Sequence, residues 1–288
     1  MEIGIGSPAT IPGVDRASLL EFARRADQRG FVSLGVVDRI VYPNYEPLLA
    51  LMAAAAVTER IRLTTTVLLG PLRTNTALLA KEIATLDNFS NGRFVLGIAL
   101  GARDDDYTAS GLSTKTRGRA LDQQLEEMKR IWGGEKRGFA GGIGPPPAHP
   151  EGPPILVGGQ ADASFKRAAR FGDGWISGAG GPDAFKEAAD KARAAWTEAG
   201  RQGSPRLAAL CYYALGPNAE QDADWYIHSY YGFAGAYADM LLQVTARNED
   251  TLRDYLGRYE AAGCDELIFF PCSKDPQQVD LLASVVGK

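Results

Sequence analysis

The chain has 288 residues and a formal net charge of -4, and its 31 basic residues are scattered without a cluster that could follow a phosphate backbone, so nucleic acid is excluded as an expected partner. A composition of 45% hydrophobic and 23% charged residues is that of an ordinary globular protein; with no signal peptide and no apolar run longer than residues 47–57, a cytoplasmic protein without a membrane span is expected. Cys211, Cys264 and Cys272 are odd in number and lack C-x-x-C spacing, which argues against a disulfide framework and against a thiolate metal site.

Residues 3–6 form a short apolar strand, and residues 17–29 an amphipathic helix that stops at Gly30. Residues 31–37 are a second strand, with Asp38-Arg39 at its exit and a helix over 46–58 behind it. Residues 62–69 alternate and are rich in β-branched side chains, as a third strand should be, until Gly70-Pro71 breaks it. Residues 77–86 carry apolar side chains at helical spacing, Asn91-Gly92 is a turn, and 93–100 is a fourth strand that empties into the polar loop 101–107.

Residues 117–132 form the next helix, with Leu121, Leu125, Met128, Ile131 and Trp132 along one side. Residues 133–154 hold two Gly-Gly pairs and Pro145-Pro146-Pro147, too rich in Pro and Gly for regular structure. Strands occupy 154–157, 174–177, 207–215 and 266–270, each trailed by helical sequence; the segment 222–242 is notably aromatic.

Eight strands, each trailed by a helix, predict an α/β fold, a closed (β/α)8 TIM barrel, as one domain over residues 1–288 with an insertion or excursion at 101–154. The competing architecture is a doubly wound open sheet. In a barrel, chemistry belongs where each strand empties into its loop.

Several short patterns carry both a functional and a bland reading. Gly4-Ile5-Gly6-Ser7-Pro8-Ala9 matches a dinucleotide fingerprint with Asp38 as its acid, but Pro8, Pro12 and Gly13 defeat the helix that the fingerprint needs. Gly158-Gly159 precedes a helix, where free N–H groups attract anions; a tight connection is the plainer alternative. His149 and His228 are the only histidines, and H-E-x-x-H and G-x-S-x-G are absent, which disfavours metal and serine hydrolases. No metal site is expected.

His149 is expected to be solvated in its Pro/Gly loop, while Trp225, His228 and Tyr231 belong to an aromatic group that could roof a planar ligand. Asp104-Asp105-Asp106 comes after the fourth strand, where one acid could point into a site. Asp38 and Arg39 either pair with each other or make polar contacts to a ligand.

With these residues laid out, the chain resembles the bacterial luciferase-like monooxygenase family, which includes oxidoreductases dependent on the deazaflavin coenzyme F420. The likeness is densest in EPLLALMAAAAVTERIRL, in PLRTNTALLAKEIATLDNFSNGRFVLGIALG, and in PILVGG with RAARFGDGW at 167–175. The resemblance implies a (β/α)8 barrel that binds FMN or F420 at the strand C-termini. It implies a non-proline cis peptide between Thr66 and Val67 under the flavin ring, ring contacts from Thr64, Thr66 and Val67, and phosphate binding at Gly158-Gly159. Arg39 stands where many members carry His; it cannot normally lose its proton and would act as a fixed charge. Asp106-Tyr107 matches an acidic–aromatic pair, making Asp106 the preferred polar contact. Family members are often dimers packed through helices like those at 46–58 and 74–88.

The resulting expectation is an oxidoreductase in which reduced FMN or F420 transfers hydride to a small organic substrate or supports its oxygenation. Asp38, Arg39 and Asp106 form the catalytic rim, and Trp225, His228 and Tyr231 close over the substrate. Two readings stay open beside it: a non-catalytic flavin-binding relative, and a flavin-free barrel isomerase or lyase that uses Asp38 and Asp106 for acid/base work.

Overall fold

The computed structural model describes residues 1–288. One wholly parallel sheet is built from β1 (Glu2–Gly6), β2 (Ser33–Val36), β3 (Arg62–Thr65), β4 (Leu68–Leu69), β5 (Phe94–Ala99), β6 (Ile155–Gly158), β7 (Gly174–Ser177), β8 (Arg206–Tyr213) and β9 (Glu266–Pro271). The strand order is β3-β2-β1-β9-β8-β7-β6-β5-β4, and β3 also pairs with β5, so the sheet closes on itself. The strand expected over 62–69 is therefore two pieces, β3 and β4, separated by Thr66-Val67, whose peptide bond is cis as the resemblance implied. Counting β3 and β4 as one stave leaves eight, a closed (β/α)8 barrel rather than an open sheet.

The helices are α1 (Arg16–Gln28), α2 (Pro47–Ala55), α3 (Thr76–Phe89), α4 (Asp104–Ala109), α5 (Arg117–Trp132), α6 (Asp162–Phe171), α7 (Gly181–Glu198), α8 (Ala219–Tyr231), α9 (Ala236–Gln243), α10 (Glu249–Ala261) and α11 (Gln277–Val286). Four start at side-chain caps: Asp15, Glu46, Asn75 and Asn248 accept from the amides of Ser18, Leu49, Leu78 and Thr251. Each cap satisfies an amide that the helix itself leaves orphaned. The main apolar core lies between staves and helices, holding Phe22, Leu51, Ile83, Leu125 and Trp175. The three cysteines are free and buried.

The barrel interior is layered. At its floor Glu2 and Glu266 meet Arg62 and Arg206, with Arg62 Nη2 2.5 Å from Glu2 and 3.1 Å from Glu266, and Arg206 Nη2 2.6 Å from Glu266 and also bonded to Glu2. Above this network sit Ile268, Leu156, Ile176 and Ala208, then Phe270, Leu210 and Tyr212. The glycines of the apparent dinucleotide fingerprint belong to this filling. A Cβ at Gly4 would come within 2.2 Å of Ser33 Oγ, and one at Gly6 within 2.3 Å of the Phe270 ring. Gly35 across the pair likewise leaves room for Phe270, 2.9 Å from where its Cβ would lie. Strand β1 leads into a three-residue 3-10 turn at Pro8–Thr10, not into a phosphate-binding helix.

Between β5 and β6 the chain forms α4, α5 and the Pro/Gly-rich segment 133–154. That segment runs along the end of α3, where Lys81 Nζ donates to the Gly144 carbonyl and Asn88 Nδ2 to that of Pro146. His149 is not simply solvated there. Its Nδ1 lies 3.0 Å from the fully buried Asp87 carboxylate, which also accepts from the His149 amide, so the histidine anchors the loop.

Gly97 of β5 packs tightly against the broken stave, since a Cβ there would lie 1.9 Å from the Thr65 carbonyl oxygen, a backbone atom that cannot swing away. Gly97→Ala is expected to cost at least about 1–3 kcal/mol, read as a lower urea midpoint at unchanged slope. The floor network predicts an acid response. The Arg62 guanidinium, with Arg206, holds the Glu2 carboxyl down from an ordinary 4.5 to about 2. A depressed carboxylate contributes stability that is present above its unfolded pKa and lost as pH falls toward its folded one. Wild type should therefore lose thermal stability between about pH 4.5 and pH 2 more steeply than Glu2→Gln, as followed by melting curves across that range.

Candidate functional site

The C-terminal mouth of the barrel opens into a cavity of about 180 Å³. Its walls come from the exits of β2 (Val37, Asp38, Arg39), β4 (Leu69), β5 (Gly101, Arg103) and β7 (Gly178, Ala179), from Thr66 and Val67 between β3 and β4, from Asp106 of α4, from Leu210 of β8, and from Tyr230, Tyr231 and Phe233 at the end of α8.

Asp38 and Arg39 do not pair with each other, as the plain reading of their adjacency expects. Consecutive side chains on an extended segment diverge, and each finds a separate counter-ion. Asp38 Oδ2 accepts from the Leu69 amide at 2.9 Å and from Arg73 Nη2 at 2.9 Å. Arg73 also pairs with Glu46 at 2.9 Å. Burial alone would lower the Arg73 pKa, but the Asp38 and Glu46 carboxylates outweigh it and hold the guanidinium above its ordinary value.

Arg39 reaches the other way, its Nε donating to Asp106 Oδ2 at 2.9 Å. Asp106 Oδ1 accepts the amides of Ile40 at 3.0 Å and Val41 at 2.7 Å. Of the three adjacent acids only Asp106 is buried, at 2% exposure; Asp105 turns outward and pairs with Arg103. The Arg39 guanidinium lies 5.2 Å from the Tyr230 ring centroid and 5.6 Å from that of Phe233, while Arg103 sits 4.1 Å from the Phe233 centroid. These are cation–π distances.

Three buried polar atoms on residues of this cavity have no hydrogen-bond partner: Asp38 Oδ1, Arg39 Nη2 and Thr66 Oγ1. Buried polar atoms are ordinarily satisfied, so one acceptor, one donor and one hydroxyl around a single cavity mark it as the candidate ligand site. Val67, Leu69, Ala179 and Leu210 supply an apolar surface between them.

The other expected site residues fall in different places. Thr64 is buried one layer beneath Thr66 and does not line the cavity. Gly158 lies under it, where a Cβ would be 3.1 Å from Val67 Cγ1. Gly159 has φ +121°, and its carbonyl accepts from Trp175 Nε1 at 2.8 Å. Beyond it the amides of Gln160 and Ala161, at the head of α6, make no backbone hydrogen bond.

Trp225 and His228 correct the expectation of an aromatic roof over residues 225–231. Helical spacing places 226 and 230 inward and 225 and 228 on the opposite face. Trp225 is 49% exposed, and His228 sits between Asp224 and Asp239 at the surface, which raises its pKa through hydrogen bonds to them. Only Tyr231 of the three reaches the cavity. Tyr230, a member of the aromatic group read from sequence, does line the cavity; Arg73, Arg103, Tyr212 and Phe233 were not singled out, although Arg73 lies in the PLRTNT stretch that carries the resemblance and Phe233 in the aromatic segment 222–242.

Residues 1–265 match the model of the luciferase-like monooxygenase family. An uncharacterized protein of Mycobacterium tuberculosis is 35% identical over 173 residues, 57% of this chain and 61% of that one. An F420-dependent glucose-6-phosphate dehydrogenase of Amycolatopsis mediterranei is 28% identical over 193 residues, 61% of this chain and 57% of its own length. The matched region thus spans about three fifths of these relatives. Among solved structures, an F420-dependent secondary alcohol dehydrogenase superposes with a TM-score of 0.82 at 19% identity, covering 99% of this chain and 98% of that one. The oxygenating constituent of 3,6-diketocamphane monooxygenase from Pseudomonas putida superposes with a TM-score of 0.75 at 21% identity, covering 100% and 97%. At these identities the superpositions speak for the fold, and the family match over residues 1–265 makes the chain a member of the luciferase-like monooxygenase family.

Proposed function

We propose that this protein is an oxidoreductase that holds coenzyme F420, or FMN, over the barrel mouth and acts on a small organic substrate beside it. The observation that carries the reading is the trio of unpartnered buried atoms, Asp38 Oδ1, Arg39 Nη2 and Thr66 Oγ1, set around an apolar surface. A flat ring with polar edges fits that donor set, and glycines at 101 and 178 keep the walls free of side chains. F420 is the cofactor we favour, because two relatives with a named activity are F420-dependent glucose-6-phosphate dehydrogenases.

Val67, Leu69 and Leu210 would exclude water from the ring, and Thr66 would hydrogen-bond its edge. The Gln160 and Ala161 amides at the head of α6 would hold the phosphate, with Gly158 and Gly159 letting the backbone approach. When bound, the deazaflavin or flavin supplies the redox chemistry, and the chain supplies binding, orientation and electrostatics. Arg39 is a fixed positive charge beside the substrate. Asp106 has both oxygens engaged and acts by positioning Arg39 rather than by moving a proton. That engagement, together with the Asp38–Arg73 pair, disfavours acid/base work by Asp38 and Asp106 in a flavin-free isomerase or lyase.

The test is fluorescence titration of purified protein with both cofactors. Micromolar binding of F420 with weaker FMN binding is expected; binding of neither refutes the reading.

A homodimer is part of the same proposal. Leu49 on α2 and Leu78 on α3 are 71% and 50% exposed and flank a surface groove that also holds Leu48, Met52 and Leu86. Such adjacent exposed leucines suit burial against a second copy. Wild type should sediment as a dimer and Leu49→Glu/Leu78→Glu as a folded monomer; a monomeric wild type removes the idea.

A further inference from the structure

None of the four charged side chains that line the cavity is free to give up a proton: Asp38 accepts from the Leu69 amide and from Arg73, and Arg103 pairs with Asp105. Arg39 keeps its own at any working pH, and Asp106 is committed to Arg39 and to the Ile40 and Val41 amides. A hydroxyl pair at the head of β8 has the missing capacity. Tyr212 is 1% exposed, and its Oη lies 2.9 Å from Tyr231 Oη with no other partner. A buried hydroxyl hydrogen needs an acceptor. Tyr231 Oη is the acceptor within reach, so Tyr212 donates and Tyr231 accepts. The hydrogen of Tyr231 is then left without a protein acceptor. Tyr231 lines the cavity and Tyr212 does not, so that hydrogen is free for a ligand.

The charges nearby define the ligand. Arg39 is matched by Asp106, Asp38 by Arg73, and Arg103 by Asp105. Arg73 is shared with Glu46, so the balance is neutral to slightly negative and disfavours an anionic substrate, whereas an uncharged C=O group could accept from Tyr231 Oη on the cavity that Arg39 also lines. We propose that Tyr231, backed by Tyr212, is the proton donor of this site and that its substrate is a small neutral ketone or aldehyde.

This inference rests on the oxidoreductase reading above. A bound reduced deazaflavin or flavin would supply the hydride for the new C–H bond, and the carbonyl π pair would become a lone pair on oxygen. That oxygen takes the Tyr231 proton; the pair of the broken O–H bond stays on Oη as a phenolate. The Tyr212 hydroxyl and the Arg39 guanidinium stabilise it until water at the open mouth restores the proton. Burial raises the Tyr231 pKa, which keeps the hydroxyl protonated until an alkoxide forms, while the Arg39 charge opposes that rise and eases release of the proton.

The experiment is infrared difference spectroscopy of carbonyl-labelled cyclohexanone bound to the protein loaded with oxidised F420 or FMN, repeated on the apoprotein. The bound C=O band is expected at lower frequency than that of the ketone in an apolar solvent. In Tyr231→Phe it should return upward, with roughly 2- to 12-fold weaker ketone binding, the loss of one hydrogen bond. Tyr237→Phe, which alters a ring packed edge-on against Tyr231, should keep the band in place. Tyr212→Phe should lower kcat while leaving the ketone KM unchanged, a split that a purely structural role would not produce. An unmoved band in Tyr231→Phe, or no bound band in wild type, overturns the proposal. Failure of both cofactors to bind refutes the parent reading instead, while the apoprotein band still reports on Tyr231.

Discussion

The Asp106 carboxylate is the interaction on which the mouth of this barrel depends. Its two oxygens gather Arg39 and the amides of Ile40 and Val41, so the loop leaving β2 is tied to α4, which leaves β5. One residue earlier, Asp38 ties the same loop to Leu69 of β4 and to Arg73. Taking such charges out of water costs several kcal/mol each, and only close counter-ions with well-aligned hydrogen bonds offset it. Charge matching therefore specifies the positions of three loops together, on either side of the cis Thr66-Val67 bond.

Ion pairs close both ends of the barrel. At the floor, two carboxylates and two guanidiniums pair with one another and leave Glu266 Oε1 unpartnered. At the mouth more is left over: one oxygen of Asp38 and one nitrogen of Arg39, with the Thr66 hydroxyl between strand pieces. The surplus lies at the end of a parallel barrel where the backbone leaves the sheet and loops can vary without disturbing the staves. The proposed ketone or aldehyde suits a nearly neutral mouth with spare hydrogen-bonding atoms. The tyrosines of α8 complete it, because a phenol offers a hydrogen without adding charge.

Much of the architecture was legible in the chain. The strand–helix alternation and the glycine and proline breaks gave the eight staves, because period-2 and period-3.6 burial are local properties of sequence. The family motifs pointed to the cis bond at Thr66-Val67, and the acid after the fourth strand to Asp106, the buried member of its triplet. The aromatic stretch was read less well. Trp225, His228 and Tyr231 are neighbours in sequence, but the helical turn of α8 sends the first two to solvent. His149 looked free in its loop because its partner Asp87 lies 62 residues away.

The sequence by itself determined the barrel and the family, since these derive from periodicity, turn chemistry and motif. Tertiary structure alone decided the partners of each charge: Asp38 with Arg73, Arg39 with Asp106, Tyr212 with Tyr231. Those pairs join side chains 35, 67 and 19 positions apart. Closure of the barrel brings the ends of separate staves to one mouth, and no local pattern records which residue will meet which. The same closure gave the glycines at 4 and 6 their meaning, as room for Phe270 from the last strand rather than as a cradle for phosphate.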